Sequence, residues 1–404
     1  MIDKTLLENI CTQFDLGNLQ HSQQIVSGLT NSVLYLETTL GKFAIKLIHA
    51  TSQRARQAQD YQQIESLALQ MQAHGVPTIT AIPNQTGQIA VTMEPYIVLV
   101  YPWWPGQPLS GPIGPIPEHF AIPLGTILAR MHQASDLQID ALSPIQYTLS
   151  TADWQCVFDE GLAQNAPWVA ALQTDFIQQL SWVEQCAHAY DKLNKSLIYS
   201  HGDFCPHNIL FQNNELRIID WELAGLINPS IEFMLAAIMC SGFATEDHFN
   251  PYIFTKMQRA YQGNGCTLNH PENAIWGAIG KGWFAWIYFN LQRSLNEELN
   301  REERTSAADN ATTALGSLRL LITKTEMLLQ LCQSIYQTCA ETKTPTFFNH
   351  NDVSKQDALE TSDEANAQQK IHDTALQLQS IFKQMPDVAE PKTPRHQHDI
   401  YAFT

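Results

Sequence analysis

The chain has 404 residues, 44% hydrophobic and 9% aromatic. That is enough to bury a sizeable core and, at about 100–200 residues per domain, to build two lobes or two domains. Its 23 basic and 40 acidic side chains leave a net charge of −17. This argues against gripping nucleic acid, which needs clustered Lys and Arg, and against a polybasic membrane-surface binder. Eight scattered cysteines with no C-x-x-C predict neither a disulfide frame nor a zinc site. No basic-then-apolar leader opens the sequence, and no apolar run approaches the about 20 residues of a membrane span, so a cytoplasmic protein is expected.

Residues 1–20 predict a short amphipathic helix with Leu6, Leu7, Ile10 and Phe14 on one face. Three β-rich runs follow, QQIVSG, VLYLET and FAIKLI, parted by polar breaks at Gly28–Ser32 and Thr39–Lys42. They predict an antiparallel meander. Ala55–His74 carries Ile64, Leu67 and Met71 at helical spacing and stops at Gly75. Ile89–Met93 and Ile97–Tyr101 predict two more strands. Six prolines then fall within Pro102–Pro117, a density of breakers that no regular element survives. The boundary between a β-rich N-lobe (1–101) and a helical C-lobe (102–340) is placed there. Helices are predicted over about 120–134, 153–165, 168–193, 230–242, 251–262, 272–298 and 303–340, interrupted by one β-like island at 196–225. The class is α+β. Residues 341–404 form a polar, low-complexity tail in which Ile371, Ala375, Leu378, Phe382 and Met385 share one helical face. Two readings of it stand: a mobile tail with one docked or transient helix, and a partner-binding helix. The tail holds 6 basic and 10 acidic residues, or −4, so −13 of the −17 belongs to the folded body.

The island carries the chemistry. His201-Gly-Asp203-Phe-Cys-Pro-His-Asn208 is followed twelve residues on by Asp220-Trp-Glu222. A strand delivers Asp203 into a breaker-rich loop, Asn208 opens the next strand, and a tight turn at Asn213–Asn214 returns the chain to Asp220. The hairpin therefore gathers Asp203, Asn208 and Asp220 at one edge. Two carboxylates and an amide oxygen are hard ligands suited to Mg²⁺, which completes its octahedron with water and phosphate oxygens.

This pattern resembles the catalytic segment of the aminoglycoside phosphotransferase and choline kinase family, whose motif reads H-G/N-D-x-x-x-x-N and then I-D-W/F/Y-E. The resemblance implies a bilobal protein-kinase-like fold and ATP with Mg²⁺ as cofactors. Asp203 would orient or deprotonate an acceptor hydroxyl, and Asn208 and Asp220 would hold the metal. On the third strand, Lys46 would neutralise phosphate charge, paired with Glu65 of the following helix, in a segment that resembles the family's E-x-x-x-L…HG-x-P run. The first turn, with Ser27, Gly28, Thr30, Asn31 and Ser32, would cover the phosphates, small residues letting backbone N–H groups approach. Its single glycine is fewer than relatives often carry. Tyr101 and Trp103 would lie beside adenine. His132 would be structural, and Glu232 stands where relatives usually carry an aspartate that buttresses the catalytic loop.

A small hydroxyl-bearing acceptor is expected: the chain has no His-Arg-Asp, Asp-Phe-Gly or Ala-Pro-Glu motif, and little sequence separates Asp220 from the next helix. GKGWFAWIYFNLQRSLN looks like a C-terminal signature of the family's bacterial members. Its Trp283 and Trp286 read either as part of an aromatic box for an amine or as core packing. Glu222 and Asp153 are candidates for the negative charge an amine would need. Choline, ethanolamine, a homoserine-like amino alcohol, thiamine and an aminoglycoside stay open as acceptors, as does the oligomeric state. The rivals are a nucleotide-binding scaffold and a protein kinase.

Overall fold

The computed structural model describes residues 2–27, 31–50, 57–109, 115–140, 142, 149–242 and 249–341. The tail expectations from residue 342 onward, and Gly28 and Thr30 of the first turn, lie outside the described residues.

Helix α1 (Lys4–Gln13) starts at Asp3, whose side chain accepts from Thr5 N, a favoured N-cap. Strands β1 (Leu19–Ser27), β2 (Asn31–Thr38) and β3 (Lys42–His49) form the expected meander. Helix α2 (Ala58–Ala73) then precedes β4 (Val91–Met93) and β5 (Tyr96–Pro102), and the sheet order is β1-β2-β3-β5-β4, antiparallel throughout.

The period of two along a strand decides which side chains meet the rest of the protein. Ile45 and Leu47 of β3, with Val98 and Val100 of β5, pack into a cluster with Leu7 and Ile10 of α1. The alternate positions, Ile48, Ile97 and Leu99, join the main core with α2 and the helical region. Lys46, opposite Leu99 in register, is therefore delivered to the inner face, toward the second lobe.

The second lobe begins after β6 (Gln107–Pro108) with α3 (Ala121–His132), α4 (Thr151–Ala163), α5 (Val169–Gln173) and α6 (Phe176–Leu193). The β island comprises β7 (Ile198–Ser200), β8 (Ile209–Gln212), β9 (Glu215–Ile218) and β10 (Gly225–Ile227), arranged as two small sheets, β10-β7 and β6-β8-β9. Helices α7 (Pro229–Cys240), α8 (Pro251–Gly263) and α9 (Pro271–Ile279) follow. A π-wound turn, Gly280–Phe284, leads into α10 (Ala285–Leu295), and α11 (Arg301–Thr323) and α12 (Thr325–Glu341) end the described chain. No helix among the described residues is long and apolar enough to cross a membrane.

Gly125 lets α3 and α8 close. A Cβ there would run into the carbonyl of Met257, which cannot move without distorting α8. Gly125→Val is expected to cost roughly 1–3 kcal/mol by overpacking, read as a lower urea midpoint. An unchanged midpoint would show that the two helices can separate at no cost.

Candidate active site

Strand β7 ends at Ser200, and the loop after it is wound tightly on itself. Cys205 N donates to Asp203 O at 2.9 Å and Asn208 N to Cys205 O at 3.0 Å. Pro206 opens a 3₁₀ turn, Pro206–Asn208, which leads directly into β8. The β8–β9 hairpin turns at Asn213 and Asn214, both left-handed, as an Asn pair tolerates. Ile219 N donates to Asn208 O at 2.9 Å, so Asp220 is set beside Asn208. Asp220 itself sits in the left-handed region at φ 63° and ψ 64°. A non-glycine residue held there carries of order 1–3 kcal/mol of strain, a feature that clusters at functional sites.

Asp203 and Asn208 are both buried. Asn208 Nδ2 donates to Asp203 O at 3.0 Å and to Oδ2 at 2.9 Å. Its amide is thereby turned so that Oδ1 is the atom left to ligate a cation. Burial pushes the Asp203 carboxyl up to about 7, against the pull of the Lys281 ammonium; Asp220 pushes it further up, and the Asn208 amide draws it down. His201 fixes the loop from behind: Nε2 donates to Ile219 O at 2.9 Å, and Nδ1 accepts from Asp203 N at 3.2 Å. One ring nitrogen is a donor and the other an acceptor, so the neutral imidazole is the form that fits. Burial accordingly pulls His201 down to about 4.

Lys46 reaches across the lobes. Its Nζ lies 2.7 Å from Asp220 Oδ1 and 2.7 Å from Glu222 Oε2. Burial alone would lower its pKa, but the two carboxylates together outweigh that and raise it. Asn31, at the start of β2, donates through Nδ2 to the same Glu222 oxygen at 2.8 Å. Glu222 is a candidate for the acceptor side; its carboxylate instead joins Asn31 of β2 and Lys46 of β3 beside Asp220.

The expected Lys46–Glu65 pair is not formed. Glu65 Oε1 accepts from the Tyr101 hydroxyl at 2.6 Å and Oε2 from Ala81 N at 3.1 Å. Burial pushes this carboxyl up, although both hydrogen bonds oppose it. Its acceptors are thus committed to Tyr101 of β5 and to the Ala81 backbone ahead of β4. Tyr101 spends its hydroxyl on Glu65, and Trp103 packs edge-on against Tyr35 at 5.0 Å between ring centres. Ser27 pairs with Ser32 in the β1–β2 register, at the base of the first turn.

The sequence pattern of the phosphotransferase enzyme family matches residues 21–261, well over half of the chain. The chain belongs to that family. Membership bears out the resemblance read from His201–Asn208 and Asp220–Glu222, and the enzyme class it implied. Among curated relatives, the homoserine kinase of Methylobacillus glycogenes is 23% identical over 204 residues, 50% of this chain and 58% of its own. The homoserine kinase of Beijerinckia indica is 25% identical over 227 residues, 55% and 65% respectively. The chain thus spans less than two thirds of the length of these relatives. Among solved structures, a spectinomycin phosphotransferase in complex with ADP and spectinomycin aligns with a TM-score of 0.55 at 14% identity, over 83% of this chain and 99% of its own. That likeness bears out the expected bilobal, protein-kinase-like α+β fold.

In this member of the family the loop that carries Asp203 is buttressed by a glutamate. Glu232 Oε1 accepts from Gly202 N at 2.6 Å, next to Asp203, and Oε2 lies 2.8 Å from His132 Nε2. His132 Nδ1 lies 2.7 Å from the Tyr261 hydroxyl. Burial would raise the Glu232 carboxyl, but the His132 contacts outweigh it and hold it low. The extra methylene, seen from sequence as a departure, is taken up by a full hydrogen-bond chain linking α7, α3 and α8.

The other acceptor-side candidates take structural positions. Asp153 caps α4: its carboxylate accepts from Ser150 N at 2.8 Å and Ser150 Oγ at 2.6 Å, and those bonds hold its pKa low. Trp283 joins the main core, and Trp286 is equally buried at 4% exposure. An open aromatic box for a cation is not what these rings form. Sequence reasoning missed Lys281, a half-buried residue of the π-wound turn whose charge bears on both Asp203 and His201. Its one sequence signal was a lysine between two glycines inside an otherwise apolar helix.

Proposed function

We propose that the chain is an ATP-dependent small-molecule kinase that transfers the γ-phosphoryl group to the hydroxyl of an amino alcohol of homoserine type. The observation that carries this is the joining of Lys46 to Asp220 at 2.7 Å across the lobes, beside the Asn208–Asp203 contact at 2.9 Å. The homoserine kinase relatives support the acceptor class. The donor set fits a hard divalent cation: the Asn208 amide is oriented by Asp203, and Asp220 is held beside it. Among the described residues no group of three His, Cys, Asp or Glu side chains converges as a metal cage. A pair of oxygen ligands is what Mg²⁺ needs when it keeps its waters and takes phosphate oxygens. Bound there with ATP, Mg²⁺ would supply charge neutralisation at the phosphates.

The protein's own contribution is positioning and proton handling. Asp203 takes the acceptor hydroxyl proton at its carboxylate. Lys46 exchanges a carboxylate for phosphate oxygen when nucleotide enters. Asn31 and Ser32 close the first turn over it. Transfer is direct, with no covalent intermediate on the enzyme. A coupled ADP-release screen over L-homoserine, choline, ethanolamine, thiamine and an aminoglycoside tests the reading. Acceptor-dependent ADP release with L-homoserine is expected; release that ignores every acceptor, or no release at all, refutes it.

A further inference from the structure

We propose that Thr78, on the segment that follows α2, is a positioning residue whose hydroxyl clamps Asp220 in the conformation that holds the metal. This deepens the kinase reading and rests on it.

Among residues 215–223 only Asp220 has a positive φ. A non-glycine residue stays in the left-handed region only where its surroundings over-determine it. The second lobe supplies two holds, both on Ile219. Its N–H donates to Asn208 O at 2.9 Å, and its carbonyl accepts from His201 Nε2 at 2.9 Å. Further holds come from residues 77–79 of the first lobe. Ile218 N donates to Pro77 O at 2.7 Å, and Ile79 N donates to Ile218 O at 3.0 Å. This segment therefore lies along the end of β9, with a parallel bridge between Thr78 and Ile218. From its centre, Thr78 Oγ1 accepts from Trp221 Nε1 at 2.6 Å and donates to Ile218 O at 3.1 Å. An indole N–H can only donate, so the hydroxyl must accept there and keeps its own proton for Ile218. One side chain thus grips the residue two before Asp220 and the residue just after it. Thr78 and Trp221 are both buried, so water does not compete for the grip.

The clamp is itself anchored. Gln72 Nε2 of α2 donates to Thr78 O at 3.1 Å, and Ala81 N donates to Glu65 Oε2 of the same helix at 3.1 Å. The segment is fixed to α2 at both ends while its hydroxyl reaches the metal-ligand segment of the other lobe. A valine at position 78 would fill the same volume and make neither bond. Trp221 would keep a buried donor with no acceptor, and the turn would lose the one side chain that joins its two ends. The Asp220 carboxylate would then spend less time where it can ligate. Groups that orient a metal ligand from behind are typically worth about 10- to 100-fold in metal affinity.

The test is calorimetric titration of AMP-PNP, with and without Mg²⁺, into wild type, Thr78→Val, Thr78→Ser and Asp220→Ala. The quantity read is the gain in affinity that Mg²⁺ brings. Asp220→Ala should abolish most of that gain. Thr78→Val should cut it roughly 10-fold while binding metal-free AMP-PNP as wild type does. Thr78→Ser, which keeps the hydroxyl, should retain it. Should Thr78→Val fail to fold, Trp221→Phe removes the same bond from the other side and should cut the gain likewise. A gain undiminished in that variant overturns the clamp, while its loss in Asp220→Ala still upholds the metal ligand. An affinity lowered equally with and without Mg²⁺ also overturns it, because it assigns Thr78 to lobe packing alone. If Asp220→Ala keeps the whole gain, or if wild type does not bind AMP-PNP, the kinase reading falls and the clamp falls with it.

Discussion

Asp203→Asn should cost roughly 10²–10⁴-fold in kcat, the usual contribution of a positioned proton acceptor, and yet make the nucleotide-free protein harder to unfold at pH 8. Both effects come from one carboxylate being buried at 6% exposure. Burial first, then the opposing pulls of Lys281, Asp220 and Asn208, leave Asp203 titrating at about 7 instead of 3.8. Its folded pKa lies above the unfolded one, so the folded chain holds the extra proton between about pH 4 and 7. The cost of ionising it is absent below that window and fully present above it. Three pKa units correspond to about 4 kcal/mol. Asparagine removes that cost while keeping the shape.

His201 runs the other way. Its folded pKa of about 4 lies below the ordinary 6.5, so the unfolded chain takes up the proton first as pH falls. Stability from the neutral ring is present above pH 6.5 and is lost toward pH 4, about 3 kcal/mol in all. In the wild type the two groups oppose each other between pH 4 and 6.5 and flatten the profile. Asp203→Asn should unmask the histidine: a higher urea midpoint than wild type at pH 8, and a steeper loss of stability on going to pH 5. No gain at pH 8 would show that Asp203 is not held against its charge.

Much of this site was legible in the chain itself, because its pieces are short-range. The Asn213–Asn214 turn, the Asp203-to-Asn208 loop and the position of Asp220 depend on residues within one hairpin, and all formed as expected. Lys46 was legible as a third-strand residue because alternation along FAIKLI fixes its face. What was not legible is who pairs with whom. Glu65 was the obvious partner for Lys46, but nothing local in the sequence announces that Tyr101 and Ala81, 36 and 16 residues away, take its two oxygens. Glu222 meets Asn31 across 191 residues. Lys281 was hidden for a different reason: a π insertion breaks the 3.6-residue count used to assign helix faces, so the Trp283–Trp286 stripe drew notice and the lysine beside it did not.

The pairing of Lys46 makes the second large prediction. Its ammonium is shared by Asp220 and Glu222, each 2.7 Å away, with side-chain exposures of 12%, 16% and 15%. Methionine keeps an unbranched stem, one atom shorter, and deletes the charge. Two mostly buried carboxylates would then face each other with their common counter-ion gone. Breaking a buried pair by removing one partner costs about 3–5 kcal/mol, so the urea midpoint of Lys46→Met should fall sharply at pH 7. Catalysis should fall too, by at least about 100-fold in kcat/KM for ATP, since a preorganised cation at the phosphates is worth several kcal/mol. The two losses have different causes and can be separated. Adding Glu222→Gln removes the stranded charge and replaces it with an amide that Asn31 can still contact. The double variant should regain most of the stability and none of the activity. Recovery of both would make Lys46 merely a counter-ion for Glu222, and recovery of neither would mean that its aliphatic stem, not its charge, holds the lobes together.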